Sequence, residues 1–280
     1  MRKRSFVASA TLLAATLGVV NAGVSSADGR GFGRHPHHQA GCTSRSTPRP
    51  GSTIQGDLNV PPGATCVLNS VTITGHLTVG PDAIVHIKNT TVKGNATSTN
   101  SDTLDNQGGV VVEGNLTVTG LKHNNFACSA TDGHPALDVA GNLTTTNGPV
   151  GGSFTFTPAS PGFPCVRVGG NSTVSNNNYK INPATSEVAG NLIVSNNTYP
   201  GSADPTASMI VGRNVIGGNL IVTNNTRGAG GTADGLLVTL NTVTGIINCT
   251  GNNPAPFNLP PAAGGGPNVA ALKLGQCAGL

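Results

Sequence analysis

The chain has 280 residues, of which only 9% are charged and 3% aromatic, with 40 glycines and no tryptophan. Its formal charge of +4 falls to +1 when residues 1–27 are set aside, leaving 12 Lys and Arg against 11 Asp and Glu, so the electrostatic footprint of a nucleic-acid binder is missing. Low charge with recurrent Val, Ile and Leu also argues against a disordered chain, since disorder usually goes with high net charge.

The first 27 residues read as an export signal: Arg2, Lys3 and Arg4, an apolar run, then small residues up to Ala27. The apolar run is too short for a good membrane span. Residues 28–53 are rich in Gly, Arg, His and Pro and read as a flexible lead-in. Within them "RHPHH" places His35, His37 and His38 together. Clustered histidines can bind copper, nickel or zinc, although the proline and the flexible surroundings fit an opportunistic site better than a dedicated one.

From Gly56 the chain repeats. Short alternating segments follow glycines 56, 75, 94, 114, 141, 170, 190, 218 and 245, at spacings of 19, 19, 20, 27, 29, 20, 28 and 27. Nine copies at a floor of 19–20 residues, some lengthened by insertions, are the signature of a solenoid. The alternation has period two and favours β-branched residues, which is strand. "GHLTVGPDAIVHIKNTTVKG" divides into HLTV, IVHI and TTVK, so each short coil holds three strands. The expected fold is an all-β, single-stranded parallel β-helix (β-solenoid) over residues 54–249. It has three short strands per coil and about nine coils, right-handed, in a rod about 45 Å long.

Stacked coils bring equivalent residues into columns. One inward column holds Leu58, Leu77, Leu116, Leu143, Leu192 and Leu220, with Ala96 and Ser172 as small members. A single coil cannot bury this face, so repetition itself supplies the stability. The position after each glycine gives Asn95, Asn115, Asn142, Asn171, Asn191 and Asn219, expected as a hydrogen-bonded amide ladder. A second column is expected at Asn176, Asn196 and Asn224, and the glycines are expected at corners of unusual backbone angle.

These GNLxV and GDLxV segments, joined by VxIxG and IVxI strands, resemble exported bacterial parallel β-helix proteins and loosely the repeats of bactofilin-type polymers. The likeness runs from about Gly56 to Cys249, implies a fold, and carries no catalytic residue. Bactofilins are cytoplasmic, so the export signal and the cysteines depart from their pattern.

Six cysteines in an exported chain point to disulfides. A solenoid touches only its neighbours in sequence, so the expected pairs are Cys42–Cys66, Cys128–Cys165 and Cys249–Cys277. Residues 250–280 form a Pro/Gly-rich tail whose last stretch, Val269–Cys277, is expected to fold back as a cap.

Chemistry has three candidate seats. Asp138, Arg167 and Glu187 each lie three residues before a repeat glycine, so they stack as an outward column. An arginine between two carboxylates could serve a lyase or hydrolase acting on polysaccharide. A self-neutralised charge ladder explains the same pattern. The second seat is "CSATDGHPALD", with Asp132, His134 and Asp138 at metal-ligand spacing or in a plain turn. The third is the histidine cluster. No nucleophile elbow, phosphate loop or dinucleotide fingerprint occurs, and no cofactor is expected. The expectation is a secreted or cell-surface non-catalytic solenoid, with the cell wall as one place of attachment. It would be structural, adhesive or ligand-presenting, its partners wall or extracellular polysaccharide or copies of itself. The alternative is a polysaccharide-active enzyme using Asp138, Arg167 and Glu187.

Overall fold

The computed structural model describes residues 42, 47–127, 135–149, 153–157, 164–178, 180–199, 209–228 and 235–280. The expected export signal, the three histidines, Cys128, Asp132 and His134 lie outside them.

Every strand pair is parallel, and the chain winds through stacked walls. Wall one has nine strands, from Thr53–Ile54 to Thr242–Val243. Wall two has ten, from Leu58–Val60 to Leu272–Gly275. Wall three has six, from Thr65–Asn69 to Lys180–Asn182. The three-strand coil holds for the first six turns. In the next two, wall three gives way to two shorter strand pairs: Thr198–Tyr199 on Thr226–Arg227, and Met209–Gly212 on Leu236–Thr239.

The inward positions alternate as the sequence requires, with Leu58, Leu77, Leu116, Leu143, Leu192, Leu220 and Ile247 all buried in wall two. Each such side chain contributes about 1.5–3 kcal/mol. Where Ala96 replaces leucine, the core keeps an apolar cavity of about 30 Å³, lined by Ala96, Leu77, Leu104, Val110, Val112 and Leu116 among others. Ala96→Val is expected to fill it and stabilise by about 1 kcal/mol, read as a rise in Tm of about 3 °C. A lowered Tm would mean that the neighbouring coils cannot admit the two methyls.

The repeat glycines are not where they are for the reason expected. Of the nine, only Gly56 has a positive φ, +87°. The others make room for the asparagine ladder. A Cβ on Gly190 would sit 2.6 Å from Asn171 Oδ1 and 2.8 Å from the Gly170 carbonyl oxygen. That Oδ1 accepts the Asn191 backbone N–H at 2.9 Å and its Nδ2 at 3.0 Å. Glycine and asparagine are therefore one device, in which the side chain of one coil lies over the bare Cα of the next. The ladder runs through Asn95, Asn115, Asn142, Asn171, Asn191 and Asn219 and ends on the Ile246 N–H. Asp57 and His76 extend it downward, and His76 Nδ1 accepts the Asn95 N–H at 2.9 Å, which requires the proton on Nε2.

The expected second column is also corrected. Asn176, Asn196 and Asn224 are exposed and left-handed, with φ of 56°, 54° and 54°. Asparagine tolerates that conformation because its short polar side chain bonds locally. Each turns the chain so that the following residue points inward. The buried ladder is therefore Asn177, Asn197, Asn225 and Asn252, closed by Gln276. A further buried ladder joins Asn214, Asn241 and Asn268.

Two disulfides are formed as expected, Cys42–Cys66 and Cys249–Cys277. Cys165 is also disulfide-bonded. Closing loops of this size contributes about 3 kcal/mol each. The tail does not fold back. Asn253 bridges Thr226, Phe257 bridges Leu237 and Val269 bridges Thr242, so residues 250–271 continue the winding into a last rung at Leu272–Gly275. That rung is short, and it places Lys273 in the inward column opposite Ile247. Lys273 Nζ donates to the Asn268 and Leu280 carbonyls. Short, charged edges resist pairing with another chain.

Candidate functional site

The outward column of wall one holds the Asp138, Arg167, Glu187 trio. Strand register places Asp138 opposite Arg167 and Arg167 opposite Glu187. Arg167 Nη1 lies 3.4 Å from Asp138 Oδ2, and its Nε lies 3.3 Å from Glu187 Oε2. The rungs on either side present Val111 and Val215, so no further acid, base or nucleophile adjoins the trio within the column. A glycosidase needs two carboxylates set apart around a bond, one of them free to take or give a proton. Here one guanidinium holds both. All three side chains are about a third to a half exposed, so the pairs are solvent-screened. Arg167→Ala is expected to cost no more than about 1 kcal/mol in urea unfolding. A larger loss would show that the column holds wall one together.

Wall three carries a denser set that the sequence reading passed over. His86 Nδ1 lies 3.0 Å from Asp105 Oδ2, which also accepts Gln107 Nε2 at 2.9 Å. One turn on, His123 Nδ1 is 3.3 Å from Asp102. Lys122 Nζ donates to Asp82 Oδ1 at 2.6 Å, and that carboxylate holds the Lys122 ammonium above its usual pKa. The signal was available: His86 and Asp105 are 19 residues apart, one coil, and pair in register. Wall three lacks a repeat glycine, so nothing marked its columns for the eye. A His–Asp pair alone orients an imidazole, but catalysis by such a pair needs a nucleophile or water site beside it. The rung below offers Val67, an inert neighbour. Among the described residues, no group of three or more His, Cys, Asp or Glu is arranged to hold a metal. Tyr199 is buried in the seventh turn, where desolvation pushes its hydroxyl up to about 12, unsuited to proton transfer near neutral pH.

The outward face of wall two has a different character. Thr97, Thr117, Thr144 and Thr173 stand in register across four successive coils. Two residues on, Thr99, Thr119 and Thr146 form a second column in the same register, continued by Ser175, which is buried. Thr119 and Thr146 hydroxyls lie 3.3 Å apart. Ile193 with Ser195, and Ile221 with Thr223, extend both columns. No outward position of this wall from Leu58 to Thr250 is charged or aromatic.

No helix among the described residues is long and apolar enough to cross a membrane. Family models, curated proteins and solved structures were each compared with this chain, and none matches it.

Proposed function

We propose that this chain is an exported, non-catalytic β-solenoid whose walls act as a binding or adhesive surface. The observation that carries the reading is that its reactive groups are paired with one another. Asp138 and Glu187 share Arg167, His86 is tied to Asp105, and Asp82 to Lys122. The remaining polar investment goes into asparagine ladders that hold one coil to the next. Disulfides support an oxidising location. The kinship with exported bacterial β-helix proteins belongs to the same proposal and rests on the Gly-Asn segments.

The test is incubation of the oxidised protein, with and without calcium, with a panel of wall and plant polysaccharides, followed by assay for new chain ends. No cleavage is expected. Cleavage that Arg167→Ala abolishes would overturn the reading and establish the column as an active site.

A further inference from the structure

We infer that the outward face of wall two is an ice-binding surface, a deepening that rests on the non-catalytic reading above. The argument starts from what the face lacks. A protein partner is usually gripped by buried Trp, Tyr or Arg anchors, and none is present there. Sugar rings favour aromatic platforms, and polyanions favour Lys or Arg; this wall offers neither.

What the face has is order in two dimensions. Along the axis, Thr97, Thr117 and Thr144 repeat at the strand spacing of about 4.8 Å, and along each strand Thr99, Thr119 and Thr146 stand about 6.6 Å from them. Each threonine brings a methyl and a hydroxyl on a side chain stiff at χ1. The array is therefore set before binding, and little entropy remains to be lost. The corner from wall one into wall two, the Gly-Asn corner, carries no insertion in any coil, so the coil spacing is uninterrupted along that edge. A disordered or flexible partner gains nothing from such regularity. A periodic partner gains at every rung, and a neutral one meets no unpaired charge. Ice is both neutral and periodic. Methyls that order the first water layer, beside hydroxyls that bond into it, suit a lattice made of water.

The test uses the oxidised protein and two lysine substitutions, Thr144→Lys at the centre of wall two and Thr72→Lys on the outward column of wall one. The readouts are ice-crystal shaping, the freezing–melting gap and recrystallisation, with circular dichroism as the folding check. The expected result is activity in the parent and in Thr72→Lys, lost in a folded Thr144→Lys. If Thr144→Lys does not fold, Thr144→Val, which keeps shape and removes the hydroxyl, replaces it, with a marked drop expected. A folded parent that leaves ice unshaped overturns the proposal. So does retention by crystalline cellulose or chitin, lost in Thr144→Lys without any effect on ice, which would assign the face to a polysaccharide surface. Both failures leave the non-catalytic reading standing, because that reading falls only to the cleavage assay.

Discussion

Replacing Asn225 with alanine is expected to lower unfolding free energy by about 4 kcal/mol, from four buried hydrogen bonds lost at about 1 kcal/mol each. Asn225 is fully buried. Its Oδ1 accepts the Asn197 backbone N–H at 3.1 Å and Asn197 Nδ2 at 2.9 Å, and its own Nδ2 donates to the Val194 carbonyl and to Asn252 Oδ1, both at 2.9 Å. Alanine supplies none of these, and the site is too enclosed for water to replace them all. The neighbour provides the control. Asn224 is exposed at φ 54°, where glycine is conformationally at ease, so Asn224→Gly should stay within about 1 kcal/mol of the parent. Urea unfolding of the two variants decides the matter. Equal losses would mean that the buried ladder adds nothing beyond the strands it runs beside.

Gly190→Ala is the second large effect, expected at about 3 kcal/mol from overpacking. The added methyl would meet the Asn171 amide oxygen and the Gly170 carbonyl, both inside contact distance. Neither can withdraw cheaply. The amide oxygen is held by two hydrogen bonds from Asn191, and the carbonyl accepts the Gly190 N–H at 2.9 Å. Gly63 separates this cause from ordinary glycine strain. It has φ of +68° with nothing within 4 Å of an added Cβ, so Gly63→Ala should cost only about 1–2 kcal/mol. Thermal melts that rank the two alike would remove close approach as the reason for the glycine.

Much of this architecture could be read from the residues, and the errors have definite causes. The Leu58 to Leu220 column and the Gly-Asn ladder were legible because glycine marks the same point of every coil. The same marker made the Asp138, Arg167, Glu187 stack legible, together with its reading as a self-neutralised charge ladder. The second asparagine column was placed one residue early. Period-two alternation holds only within a strand, and a left-handed residue such as Asn196 reverses the sense at the corner, sending Asn197 inward. The glycines were ascribed to backbone angle because sequence shows what a residue permits, not what lies above it. The fourth wall of turns seven and eight was hidden by the insertions that precede Met209 and Leu236. His86 and Asp105 escaped notice because their strand carries no punctuation.

The ladders also govern how such a chain can change its length. From Asn115 to Asn219, each rung offers the rung above the same amide oxygen at the Gly-Asn corner that it takes from the rung below, and the walls repeat their backbone hydrogen bonds from rung to rung. Removing one complete turn lets the two cut faces meet as native neighbours, Asn171 standing to Asn219 as it stood to Asn191. Removing part of a strand sets its column out of phase and strands the buried amides, whereas the loops between strands differ in length from coil to coil without loss of register. The strands can thus be edited in whole turns and in almost nothing smaller, while the loops take up shorter changes. The near-identical stretches at Gly190 and Gly218 are what copying a whole turn would leave behind.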